Sequence, residues 1–233
     1  ALSMPIAANT ASSSFTLAST ANPLAAALNV GYMTFGTGAL SVAPATVNLA
    51  GVGNAVSIGL NTSCAALPTA VNFLGNINTT GSSTAGVNVN ANKTISVSTA
   101  IDTARLAFQT FNTTAGNSNI SIQGGGITTR SGAVTLRTAN GSISVGAPVS
   151  ANGDFSAQAV DTSATITLAA PVTASSVLAQ AGNNLVISGD ITASGTGGIQ
   201  LQSDSGQVQL AANVTANSST GAIMITSRSE EHT

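Results

Sequence analysis

The stretch from Leu185 to Ala216, LVISGDITASGTGGIQLQSDSGQVQLAANVTA, opens and closes on the same pattern. LVISGDITA from Leu185 and VQLAANVTA from Val208 both place apolar residues first and third, then Val or Ile after three more positions. A small polar residue and usually Ala or Thr follow. Upstream the pattern recurs as VNFLGNINT from Val71, ISVSTAIDT from Ile95, ISVGAPVSA from Ile143 and ITLAAPVTA from Ile166. A seventh copy, ISIQGGGITT from Ile120, carries one extra residue. The last apolar anchors are Ile77, Ile101, Ile127, Val149, Val172, Ile191 and Val214, spaced by 24, 26, 22, 23, 19 and 23 residues. Self-similarity at such a period marks a solenoid, in which each unit buries its apolar side only against its neighbours.

Each unit contains three short apolar pieces separated by turn residues. From Ala133 they are AVTLRT, then SISVG after Ala-Asn-Gly, then PVSA before Asn-Gly. Alternation at period two puts Ile143 and Val145 on one side of the middle piece, with Ser142 and Ser144 on the other. β-Branched residues are plentiful, and no stretch shows a helical period. Three strands in about 23 residues predict an all-β chain, a right-handed parallel β-helix with about three strands per coil, its hand taken from the crossover preference. Like strands stacked roughly 4.8 Å apart give a length of about 34 Å for the repeats. The predicted interior columns are Val71, Ile95, Ile143, Ile166, Leu185 and Val208; Phe73, Val97, Val145, Leu168, Ile187 and Leu210; and the anchors. Asn140, Asp161, Asn183 and Asp204 are expected at one stacked turn, because Asn and Asp bond locally and tolerate left-handed backbone. Pro148 and Pro171 enter the third strand, where a missing N–H costs least.

Only 5% of the 233 residues are charged and 3% are aromatic, whereas 43% are hydrophobic. Disorder needs the opposite balance, and a globular enzyme would carry about 25% charged residues. The chain has a net charge of −2 and no basic cluster, which argues against nucleic acid as a partner. No apolar run approaches the roughly 18 residues of a membrane-spanning helix. Cys64 is alone and reads as a small buried apolar residue.

Three segments follow from these patterns. Residues 1–70 hold the alternations LSV (Leu40 to Val42), VNL (Val47 to Leu49) and VSI (Val56 to Ile58), and read as divergent rungs with an irregular insertion or cap around Pro23 to Phe35. Residues 71–227 are the regular rungs. The segment Thr103 to Asn117 reads as an irregularity within them, with Phe108 and Phe111 covering an edge. Residues 228–233, RSEEHT, hold both glutamates and the single His; they resemble a translated sequencing adapter and read as a non-native tail. Both ends read as cuts from a longer protein.

The best constellation for chemistry is Arg137 near Asn140, with Asp161 and Asp204 two rungs apart at about 10 Å by strand spacing. That lies at the upper edge of the separation of roughly 6.5–9.5 Å used by inverting glycosidases. The competing reading is a structural turn ladder, and it is preferred because no Glu or His remains in the body and no aromatic platform for sugar rings is evident. Gly124 to Gly126 lack the serial GGxGxD of calcium solenoids, and no phosphate loop is present. Accordingly no catalytic, metal or cofactor residue is nominated.

Strings such as GNNLVISGDITASGTGG and GQVQLAANVTANSSTG resemble the β-helical shafts of large secreted bacterial surface proteins, of the filamentous-haemagglutinin and autotransporter-passenger types. The resemblance spans Val71 to Ser227. It implies export or display at the cell surface and a structural or adhesive shaft without catalysis. Its partners would be glycans or proteins of host or neighbouring cells, with end-to-end continuation of the same chain. The alternative is a carbohydrate-active β-helix, a lyase or hydrolase, with active rungs partly outside this stretch.

Overall fold

The computed structural model describes residues 70–73, 76–79, 86–112, 118–218 and 220–228, together with the backbone of seven short strands before residue 70. Tyr32, Cys64, residues 113–117 and residues 229–233 lie outside the described residues.

The described chain is a parallel β-solenoid of about six turns, with about 23 residues per coil and no helix. Three faces follow one another around each coil. The first carries strands Gly86–Ala91, Arg105–Thr110, Val134–Thr138, Phe155–Ala159, Val177–Ala181, Ile199–Ser203 and Ile223–Ser227. The second carries Ala70–Phe73, Thr94–Val97, Ile120–Ile122, Ile143–Val145, Ile166–Leu168, Leu185–Ile187 and Val208–Leu210. The third carries Asn76–Thr79, Ile101–Thr103, Ile127–Thr129, Val149–Ala151, Val172–Ala174, Ile191–Ala193 and Val214–Ala216. Every strand in these faces pairs in parallel with its counterparts on adjacent turns. Upstream, Ala39–Val42, Thr46–Leu49 and Val56–Ile58 pair in parallel with Ala70–Phe73, Asn76–Thr79 and Val87–Val89, so LSV, VNL and VSI fall on the three faces in order.

Period-two alternation explains the core. Ile143 pairs with Ile120 and Ile166, and the column runs from Val71 to Val208 without slippage. The anchors form a second column from Ile77 to Val214. On the first face Val87, Leu106, Val134, Phe155, Val177 and Ile199 point inward, as do Val89, Phe108, Leu136, Ala157, Ala179 and Leu201. Side chains from Val71 to Leu201 in these columns are at most 2% exposed. Burial of one such Val, Ile, Leu or Phe contributes about 1.5–3 kcal/mol.

Phe108 is part of this core and covers no edge. The string RLAFQT alternates, so Leu106, Phe108 and Thr110 turn inward from the regular strand Arg105–Thr110. The Phe108 ring stacks on Phe73 across the coil, with centroids 5.5 Å apart and planes at 22°. The expected irregularity between Thr103 and Asn117 is therefore absent from Arg105–Thr110, while residues 113–117 lie outside the described residues; Phe111 is only half-buried.

Turns absorb the variation in spacing. The 19-residue interval between Val172 and Ile191 passes through the short turns 175–176 and 182–184. The 26-residue interval between Ile101 and Ile127 contains the extra residue of the triple-glycine corner. There Gly126 has φ +93°, and a Cβ on it would lie 2.6 Å from the Pro148 carbonyl oxygen. Glycine is required by both the handedness of that backbone and the close approach of the next rung.

The corner before each third-face strand follows a hydrogen-bond rule. The first N–H of each such strand donates to the corner carbonyl of the next rung, as from Ile127 to Pro148 and from Val149 to Pro171. At the Ala100 and Asn213 corners the residue's own N–H points toward the preceding rung, where a side chain supplies the acceptor. Asn76 Oδ1 accepts it from Ala100 at 3.2 Å, and Asp190 Oδ1 accepts it from Asn213 at 3.0 Å. Pro148 and Pro171 occupy the same corner and have no N–H to satisfy. A similar staple precedes the second face: Asn119 Oδ1 accepts from Ser142 N at 2.8 Å, Ser142 Oγ from Thr165 N at 3.1 Å, and Asn184 Oδ1 from Gln207 N at 3.0 Å.

At the C-terminal end the columns lose their cover. Leu210, Ile223 and Ile225 are 42%, 46% and 47% exposed.

Candidate functional site

Alternation that sends apolar side chains inward sends the others outward, and the first face has the longest strands and so the widest outer surface. Its two outward ranks are set by register. The first runs Asn88, Ala107, Thr135, Ser156, Leu178, Gln200 and Met224. The second runs Asn90, Gln109, Arg137, Gln158, Gln180, Gln202 and Thr226. Between them lies a concavity of about 370 Å3, lined by Asn88, Ala107, Gln109, Thr135, Arg137 and Gln158 among others.

The structure separates the residues singled out from the sequence. Arg137 projects outward from the first face, flanked in register by Gln109 and Gln158. Asn140 lies in the following turn, where its Nδ2 donates to the Asn112 carbonyl at 2.9 Å. Asp161 folds back into its own turn and accepts from Ser163 N at 2.9 Å and from Ser163 Oγ. The Ser163 hydroxyl, followed by the Ser163 N–H, holds the Asp161 carboxyl below its ordinary value of 3.8. Asp204 bends over the first face instead, where Gln180 Nε2 donates to Oδ2 at 3.2 Å and Gln202 Nε2 to Oδ1 at 2.6 Å.

The turn between the first and second faces does hold Asn140, Asp161, Asn183 and Asp204 on four successive rungs, as expected, but it forms no single side-chain ladder. Its members sit in turns of unequal length, 139–142, 160–165, 182–184 and 204–207, so their side chains meet different partners. Side-chain bonding along the axis occurs here from Asn140 to Asn112, and recurs at the staple of Asn119, Ser142 and Asn184. Asp161 and Asp204 belong to separate hydrogen-bond groups.

The outward amide rank was not anticipated from the sequence. Its signal was present in the first-face strings RLAFQT, VTLRT, FSAQA, VLAQA and IQLQS, whose second outward-facing position after the inner start recurs as Gln, Arg, Gln, Gln and Gln. Aligning those strings in strand register exposes it.

Other charges are dispersed. Arg130 pairs with Asp102 on the surface, with side chains 37% and 44% exposed, a setting in which an ion pair contributes about 0–1 kcal/mol. Among the described residues, no three His, Cys, Asp or Glu side chains gather as a metal site would require. Nor is any helix among them long and apolar enough to cross a membrane. Comparison with family models, curated proteins and solved structures gives no match.

Proposed function

We propose that this chain is a shaft segment of an exported bacterial surface protein of the filamentous-haemagglutinin or autotransporter-passenger type, with a structural and adhesive role. The observation that carries the proposal is a parallel three-faced stack whose outer surface is built from hydroxyls, amides and small residues. Such a stack transmits length and presents repeated surface without requiring a closed active site. Exposed Leu210, Ile223 and Ile225 continue the interior columns at one end, a surface suited to a further rung of the same chain.

Two features support a non-catalytic role. A general acid is useful with its pKa raised toward neutrality, whereas Asp161 is held in the opposite direction by Ser163. Asp204 is engaged by two glutamines. The test is incubation of the chain with acidic and neutral polysaccharides, alongside adhesion of protein-coated beads to bacterial and host cells. Bead adhesion without new reducing ends or unsaturated products supports a shaft. Chain cleavage overturns it in favour of a carbohydrate-active β-helix.

A further inference from the structure

The second outward rank of the first face divides into two halves of like composition and unlike state. In the C-terminal half, a carboxylate already rests on the ladder: Asp204 spreads its two oxygens over the Nε2 groups of Gln180 and Gln202 on adjacent rungs. In the half before it, Gln109, Arg137 and Gln158 occupy the same rank on consecutive rungs. Among the described residues, these three side chains have no hydrogen-bond or ion-pair partner. They border the concavity of about 370 Å3, where Ala107 and Thr135 leave room beside them.

We propose that this half of the rank binds a carboxylate-bearing polysaccharide, without cleaving it. Arg137 takes the carboxylate, and Gln109 and Gln158 bond the hydroxyls of sugars on either side. A guanidinium matches a carboxylate with two parallel N–H bonds. A primary amide both donates and accepts, as a sugar hydroxyl does. Strands roughly 4.8 Å apart repeat these groups at about the step of successive pyranose rings in an extended chain. The proposal rests on the adhesive reading above only in naming a surface glycan as the ligand.

Other occupants fit less well. A nucleic acid requires several phosphate contacts, and the rank has one cation in a chain of net charge −2. A second copy laid over the strip about a two-fold axis at its centre would set Arg137 against Arg137. An acidic peptide could not add as a strand, because the backbone of this face is consumed by its own ladder.

The 233-residue chain is titrated with oligogalacturonate by calorimetry, with methyl-esterified oligogalacturonate, dextran and polyglutamate as comparisons. Binding of the free acid alone is expected. R137Q, at an exposed position, should weaken it about tenfold or more through loss of a charge-assisted contact, with the far-ultraviolet dichroism unchanged. D204A should tighten it, because two further amides are uncovered. Absence of binding, equal binding of the ester, dextran or polyglutamate, or indifference to both variants overturns the site. Loss of oligogalacturonate binding with bead adhesion intact removes this site and leaves the adhesive reading standing. Oligogalacturonate binding without bead adhesion does the reverse.

Discussion

Ile187 and Leu210 occupy one interior column on adjacent rungs, yet Ile187 is fully buried and Leu210 is 42% exposed. Their local strings, LVI and VQL, obey the same alternation. The difference comes from the stack: an inner rung covers its side chains from both sides, the last rung from one. Burial in a solenoid is thus a property of neighbours, and stability should grade along the axis as nearest-neighbour terms predict.

The largest expected contrast is between truncations in that column. I187A should cost about 2–5 kcal/mol, as cavity-forming substitutions do in packed cores. L210A should cost about 1 kcal/mol or less, since only part of its apolar surface leaves water on folding. Urea unfolding of both variants measures this, and equal costs would break the comparison.

Glycines should show a similar gradient. G126A places a Cβ against the Pro148 carbonyl in left-handed backbone and should destabilise by about 1–3 kcal/mol. At Gly221, near the open end, the nearest atom to an added Cβ is 3.3 Å away. G221A should stay within about 0.5 kcal/mol of the parent in thermal unfolding.

The staple provides a subtler contrast. N119A removes the acceptor for Ser142 N–H in a partly buried setting and should cost about 1 kcal/mol. N184A removes the acceptor for Gln207 N–H where water can replace it, and should cost less. Amide hydrogen exchange at Ser142 and Gln207 resolves the two directly.

The smallest effect concerns pH. Because Asp161 is held below 3.8 in the folded chain, its contribution is present above that value and is lost as pH falls through the lowered one. S163A should raise its midpoint toward 3.8 without restoring it fully, because the Ser163 backbone bond remains. Carboxyl NMR titration reads that midpoint, and an unmoved value would show that the hydroxyl is not the cause.

Inner positions were legible in the sequence because the same physical demand recurs on every rung. Val71, Ile95, Ile143 and Ile166 are spaced by turns of different length but face one interior, so their pattern survives variation around them. The first face was harder to read. Its inner column passes through Leu136, Ala157 and Ala179, whose differing sizes hide the repeat, and Phe108 looked like part of a loop. Outer ranks were least legible, because they depend on register carried across unequal turns. Asp161 and Asp204 looked equivalent in the chain, but two additional turn residues are enough to give a side chain another partner. The amide rank of Gln109, Arg137 and Gln158 emerges only when strands, rather than turns, are aligned.

The corner rule has a consequence for how such a chain can change length. At two of these corners a side chain on one rung serves the N–H of the rung after it, which gives that pair of rungs an output and an input. Asn76 and Asp190 provide an output; Ala100 and Asn213 require an input; Pro148 and Pro171 require none. A proline rung can therefore follow any other, whereas the Ala100 and Asn213 rungs draw on the Asn or Asp of the rung before them. Duplication of whole rungs would preserve the columns automatically, but the order of duplicated rungs carries a polarity, a grammar written in corner hydrogen bonds.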